Sequence, residues 1–245
     1  MKIKRKKFVI TIDGPASSGK STTAKMLAKK LNCIYIDSGS MYRAVALYLK
    51  DNSIDLENEN ALKEVLYEIN IEILYKPEKN ENAIFLNGKD VSTKIRNSEI
   101  TNYSSIIAKK KIIRERMVEL QRKMAETQSI IMDGRDIGTV VFPDADFKFF
   151  LKASIDERAK RRFLEMKDKS ASSETESRFS RVWRMDNISL GKIKKDLKWR
   201  DRTDSNREIS PLKMANDAIE IDTTNLTIEE QTQKILDILK YEITL

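Results

Sequence analysis

The 245-residue chain has no histidine and one cysteine, Cys33. Without imidazole, Ser-His-Asp catalysis, His-held metals and imidazole proton shuttling are excluded. A single thiol excludes an internal disulfide framework and a cysteine-rich zinc site. No apolar run approaches the ~20 residues that a membrane-crossing helix needs. The basic start, Met1-Lys2-Ile3-Lys4-Arg5-Lys6-Lys7, leads only into the five residues Phe8 to Ile12. That stretch is too short for a signal-peptide core, so the expectation is a cytoplasmic protein without membrane partners.

What is present is charge. Apolar residues make up 40% and charged residues 34%, with 46 Lys and Arg against 38 Asp and Glu, a net +8. At ~150 residues per domain the length allows one or two domains, enough for a core without disulfides or metals. The basic excess suits a polyanion, either a nucleotide or a nucleic acid. A solvated Lys-rich surface accounts for much of the same excess.

Periodicity supplies the fold class. Phe8-Val9-Ile10-Thr11-Ile12 reads as a buried strand ended by Asp13-Gly14-Pro15. Residues Lys20 to Leu31 read as a helix with Ala24, Leu27, Ala28 and Leu31 on one face. Cys33 to Ile36 is a second strand and Ser40 to Leu49 a second helix. Strand, helix, strand within about thirty residues is a βαβ unit and implies a parallel sheet. Ile130 to Met132, Phe147 to Leu151 and Ala218 to Ile221 complete five strands. The last helix opens at Thr227 with Glu230 at capping-box spacing. Residues Ile69 to Ser92 predict a small antiparallel insert around Lys79-Asn80-Glu81-Asn82. Residues Arg158 to Arg207 predict a mobile helical excursion, with a Ser-rich patch at Ser170 to Ser177. There Trp183, Met185, Ile188, Ile193, Leu197 and Trp199 mark helices with an apolar side. Arg178, Arg181 and Arg184 read as solvated charges.

Gly14-Pro15-Ala16-Ser17-Ser18-Gly19-Lys20-Ser21 fits G-x-x-x-x-G-K-[ST] between a strand and a helix, the context that the phosphate-binding loop requires. Its glycines let backbone N–H groups wrap a phosphate, and the helix N-terminus adds a fixed positive field. Lys20 can reach the β- and γ-phosphates of an NTP, and the Ser21 hydroxyl can bind Mg²⁺. Gly14, Pro15, Ala16, Ser17, Ser18, Gly19, Lys20, Ser21 and Thr22 are therefore the candidate ATP contacts. Of 7 glycines in the chain, Gly14, Gly19, Gly39, Gly134 and Gly138 fall after the first three sheet strands, where a parallel sheet binds ligands. The same loops carry Arg43 and Arg135, suited to bidentate phosphate contacts.

Several stretches resemble the bacterial cytidylate kinases. They are Ile10-Thr11-Ile12-Asp13-Gly14-Pro15, Asp37-Ser38-Gly39 with Tyr42-Arg43, Asp133-Gly134-Arg135-Asp136 through Ala145, and Asn206-Arg207 with Pro211-Leu212. The resemblance runs from about residue 8 to 240 and is most specific over Asp133 to Ala145. It implies a P-loop kinase fold: a CORE at about 1–40, 105–157 and 208–245, an NMP-binding insert at about 41–104 and a helical LID at about 158–207. The reaction implied is transfer of the ATP γ-phosphoryl group to CMP or dCMP, with Mg²⁺, by a monomer. Carried onto matching positions, Arg43, Arg135 and Arg207 hold the CMP phosphate, and Ser38 lies beside the nucleotide. Ser105, Arg114 and Asp136 read cytosine, while Arg200 and Asp204 approach the ribose and phosphate. Arg158 and Arg162 in the LID meet ATP phosphates, and the LID closes over ATP.

Elementary chemistry agrees with these roles. The cytosine N4 amino group donates, and a carboxylate such as Asp136 accepts it, whereas the uracil O4 would meet that carboxylate as an acceptor. Asp136 could equally serve as an ion-pair partner of a neighbouring Arg. A phosphate acceptor, with its second pKa near ~6, needs no general base, which suits a chain without histidine. A hydroxyl acceptor would favour a base, and Asp13 or Asp133 could supply one. Two alternatives stand beside the cytidylate reading. One is a related kinase acting on uridylate or a small alcohol. The other is a nucleic-acid-binding P-loop ATPase, against which no nucleic-acid-binding motif is found.

Overall fold

The computed structural model describes residues 7–76, 81–171 and 189–244. In chain order the elements are β1 (Val9–Asp13), α1 (Lys20–Leu31), β2 (Ile34–Asp37), α2 (Ser38–Asp51) and α3 (Glu59–Glu68). There follow β3 (Ile71–Lys76), β4 (Glu81–Leu86), β5 (Lys89–Asp90), α4 (Ser98–Ile107) and α5 (Lys111–Met124). The chain continues with β6 (Ile130–Gly134), β7 (Phe147–Lys152), α6 (Ile155–Ala171), α7 (Leu190–Ser205), β8 (Ile219–Asp222) and α8 (Ile228–Thr244).

Five strands form one parallel sheet, as the apolar runs predict, and the structure sets their order as β2-β6-β1-β7-β8. Strand side chains alternate between faces, and β6 shows the consequence. Ile130 and Met132 pack into a core with α2, α4 and α5, whereas Ile131 packs on the opposite face with α1 and α8. Each fully buried aliphatic side chain there contributes about 1.5–3 kcal/mol. The predicted insert is a three-stranded antiparallel sheet, β3-β4-β5. Helix α2 opens two residues earlier than its apolar periodicity predicts, because the Asp37 side chain accepts the Ser40 N–H and caps it. Helix α8 begins with the predicted capping box: Thr227 and Glu230 exchange hydrogen bonds between side chain and backbone N–H.

The polar segment from 158 to 207 contributes α6 and α7, which pack on each other. Ile193 and Leu197 of α7 are buried with Ala159 of α6 and Ala16 of the phosphate-binding loop. Trp199, predicted on an apolar side, is half exposed. The Ser172 to Ser177 part of the patch, Trp183, Met185, Ile188, Arg178, Arg181 and Arg184 lie outside the described residues. Among the described residues no helix is long and apolar enough to cross a membrane.

The sheet fixes the phosphate-binding loop through Gly14, whose φ is +149°. A Cβ there would sit 2.1 Å from the Leu151 carbonyl oxygen of β7. Gly14→Ala is expected to cost at least about 3 kcal/mol, because strand and loop must both move. Urea unfolding would read this as a lower midpoint; an unchanged midpoint would contradict the close approach.

Candidate active site

A cleft of about 610 Å³ opens beside the last residues of β2 and β6. Ala16, Ser17, Gly19, Lys20, Ser21 and Thr22 line its floor, whereas Gly14, Pro15 and Ser18, also expected to contact ATP, do not line it. Ser17 and Gly19 have positive φ (61° and 89°), which turns the backbone around the loop. Gly19 caps α1 with no side-chain hydrogen bond, so the first-turn N–H groups carry the helix field uncapped by a side chain. The loop rests on the C-terminal segment: the Thr223 hydroxyl lies 2.9 Å from the Ser18 carbonyl oxygen, and Gln231 Oε1 accepts the Thr23 hydroxyl at 3.0 Å. Neither support carries a recognisable sequence signal.

Lys20 folds back, its Nζ donating to the Pro15 carbonyl at 3.0 Å. Burial first, then the charge of Arg135, lowers its pKa to about 7. Ser21 Oγ and the Tyr35 hydroxyl both donate to Asp133, at 2.7 and 2.8 Å. Burial and the Asp37 charge push Asp133 upward. Asp37 is held below the usual carboxylate value because, against its burial, Arg43 sits 3.0 Å away and Ser40 donates to it.

The acceptor-side residues gather in the same cleft. Ser38, Arg43, Ser105, Arg114, Arg135, Asp136, Arg200, Asp204 and Arg207 all line it, brought there from α2, α4, α5, the loop after β6, α7 and the segment beyond it. Ser38 Oγ donates to the Asp133 carbonyl at 2.6 Å. Arg114 and Asp136 form a buried ion pair, and Arg114 also donates to the Ala108 carbonyl at 3.2 Å. Asp204 bridges two guanidinium groups, 2.8 Å from Arg135 Nε and 3.9 Å from Arg207 Nη2. Those cations hold Asp204 below its ordinary value although burial opposes the charge. Arg200 stands apart. Burial and the neighbouring Arg135 lower its pKa to about 10, and its buried Nε has no hydrogen-bond partner. Buried guanidinium nitrogens of Arg43, Arg114 and Arg207 also lack hydrogen-bond partners.

The two arginines expected to meet ATP phosphates part company. Arg162 lines the cleft, 2.8 Å from Glu165. Arg158 does not line it: its guanidinium grips Asp201 at 2.7 and 3.1 Å and donates to the Ala16 carbonyl at 3.2 Å, tying α6, α7 and the loop together. Arg161 lines the cleft instead, held by Glu157 and the Thr223 carbonyl. The i, i+3, i+4 spacing of Arg158, Arg161 and Arg162 could have placed all three on one helix face. Arg161, Tyr35, Thr101 and Ser104 are cleft residues that the sequence reading left without a role. Thr101, Ser104 and Ser105 lie at i, i+3 and i+4 on one face of α4, the one signal in the sequence that groups them.

Comparison with known proteins adds three findings. The family model described as cytidylate kinase matches residues 10–241. Proteins named cytidylate kinase from Bacillus cereus and Bacillus thuringiensis are each 47% identical over 234 residues, covering 96% of both chains. A solved shikimate kinase from Acinetobacter baumannii aligns over 96% of this chain and 94% of its own at 13% identity, with a TM-score of 0.43.

Two measurements check this geometry. Asp201→Ala leaves Arg158 buried without its carboxylate and is expected to cost about 2 kcal/mol, against less than about 1 for the half-exposed Glu165→Ala. Equal midpoints in urea would contradict the assignment. Lys20, with a pKa near 7, is largely neutral at pH 8, and phosphates beside it would restore the charge. Binding ATP at pH 8 should therefore take up a proton, seen by calorimetry in buffers of unequal ionisation enthalpy and lost in Lys20→Met. Proton-neutral binding by the native chain at pH 8 would contradict the depressed amine.

Proposed function

The chain belongs to the cytidylate kinase family and is a nucleoside monophosphate kinase for CMP; we propose that this cleft moves the ATP γ-phosphoryl group onto CMP or dCMP by alignment and charge neutralisation alone. The observation that carries this reading is the buried Arg114–Asp136 pair in the wall of the cleft whose floor is Lys20 and the phosphate-binding loop. Both substrates then meet in one enclosure, as an in-line displacement needs.

The residues divide the work. Loop N–H groups and Lys20 hold the ATP phosphates. Arg43, Arg135, Arg200 and Arg207 hold the CMP phosphate, whose arrival adds negative charge beside Arg200, where burial and Arg135 outweigh Asp204. Arg114 orients Asp136 so that its carboxylate accepts the cytosine N4 amino group, and Ser105 adds a donor or acceptor at the base edge. Asp204 fixes Arg135 and Arg207 in place and reaches toward the ribose. Arg161 and Arg162 stand on the ATP side. Arg158 acts by joining α6 and α7 to the phosphate-binding loop. The α6–α7 region, about 158–207, serves as the LID that excludes water, and about 41–104 as the NMP-binding insert. Neither carboxylate that could have been a base is free. Asp13 accepts two backbone N–H groups, and Asp133 accepts Ser21 and Tyr35. That favours a phosphate acceptor over an alcohol.

The donor set suits Mg²⁺: Ser21 Oγ would hold it with the ATP phosphates, and Asp133 lies 2.7 Å from that oxygen. When bound, the ion neutralises charge on the transferring phosphoryl group. The same reading needs no nucleic-acid partner, since the cleft, where basic side chains outnumber acidic ones two to one, takes up part of the basic excess, and we carry with it the expectation of a cytoplasmic monomer.

A coupled assay with CMP, dCMP, UMP and AMP tests the assignment. Asp136→Ala should lower kcat/KM for CMP and erode the preference over UMP by at least about 100-fold, since a site built around a hydrogen bond rejects the analogue that lacks it. An unchanged CMP to UMP ratio would remove Asp136 from base reading.

A further inference from the structure

Asp13 is buried at the end of β1, one residue before the phosphate-binding loop, and touches neither side of the cleft described above. Alternation along β1 places Thr11 and Asp13 on the face that meets residues 137–141. There Asp13 Oδ1 accepts the Ile137 N–H at 2.9 Å and Oδ2 accepts the Gly138 N–H at 2.7 Å. Ile137 and Gly138 open a five-residue π-helical turn, Ile137–Val141. Its own bonds run from the N–H groups of Val140 and Val141 to the Asp136 carbonyl (2.9 and 3.3 Å) and from the Phe142 N–H to the Ile137 carbonyl (2.7 Å). The first N–H groups of such a turn have no partner within it. A carboxylate from another strand supplies both.

From this juxtaposition we infer that Asp13 is a positioning residue for substrate choice: it clamps the loop that carries Asp136 to the strand that carries the phosphate-binding loop. The inference rests on Asp136 reading the base. The main chain of Asp13 runs directly into Gly14, whose position β7 fixes. Its side chain holds the two residues that follow Asp136. Beside the β1–β6 pairing that reaches Gly134, the Asp13 side chain is thus a second tie between the phosphate-binding strand and the base-reading carboxylate. Gly138 shows how close the fit is. A Cβ there would lie 2.9 Å from Thr11 Oγ1, 3.3 Å from Lys148 Cδ and 3.4 Å from Asp13 Oδ2. Burial drives the Asp13 pKa up to about 7, the charge of Asp136 adds to that rise, and the two N–H groups and Lys20 oppose it. The fold thus keeps an acidic side chain where burial disfavours its charge, and the return is a fixed turn.

The test uses Asp13→Asn in the full chain. Asn has a single oxygen, so its amide NH₂ would face one of the two N–H groups. The expected result is a KM for CMP raised about 10-fold, a CMP to UMP ratio of kcat/KM lowered by a similar factor, and a smaller change in KM for ATP. A purely structural role would lower activity on CMP and UMP alike. Gly138→Ala disturbs the same contact from the opposite side while leaving Asp13 in place. It should show the same split, and it carries the test if Asp13→Asn does not fold. If folded Asp13→Asn or, in its place, Gly138→Ala keeps the native ratio while Asp136→Ala loses it, the clamp is overturned and the reading of Asp136 stands. A ratio unmoved by Asp136→Ala would overturn that reading and the clamp with it.

Discussion

The cleft holds more positive charge than its own carboxylates neutralise, and the rest of the site is organised around that imbalance. Lys20 and Arg200 both have lowered pKa values because burial and neighbouring cations disfavour their charge. Such a cluster is costly in the free protein. In the proposed reading the phosphates of both nucleotides supply the negative charge that offsets it. Binding energy is thereby realised where the reaction develops charge, and no proton needs to be moved by the protein. A chain without histidine can therefore catalyse this transfer.

Pairing separates two classes of arginine. Those whose guanidinium groups are saturated by protein partners hold the scaffold: Arg158 binds Asp201 and the loop carbonyl of Ala16, and Arg161 binds Glu157 and the 223–226 segment. Arg43, Arg200 and Arg207 each keep one buried nitrogen without a hydrogen-bond partner and line the cleft in which the proposed CMP phosphate would meet them. Carboxylates divide in the same way. Asp204, Asp37 and Asp133 orient cations and hydroxyls, while Asp136 pairs with Arg114 in the cleft wall, from which it is proposed to read the base.

Much of this was legible in the chain. The five parallel strands, the first and last helices and the antiparallel insert followed from apolar runs and capping spacing, because each depends on local periodicity. The phosphate-binding loop followed from residue types that only such a loop requires. Contacts between distant segments were not legible. Nothing in the spacing says that Asp201 takes Arg158 away from the cleft, that Gln231 supports Thr23, or that Asp13 caps a turn more than 120 residues later. Trp199 is half exposed although its neighbours Ile193 and Leu197 are buried, because helical phase alone does not say how wide a face the partner helix covers.

The most direct measurement is a crystal structure with CMP bound. The account predicts the phosphate within hydrogen-bond distance of Arg43, Arg135, Arg200 and Arg207, with the N4 amino group on the Asp136 carboxylate. A phosphate that leaves Arg200 without an anion, or a cytosine lying away from Asp136, would contradict it.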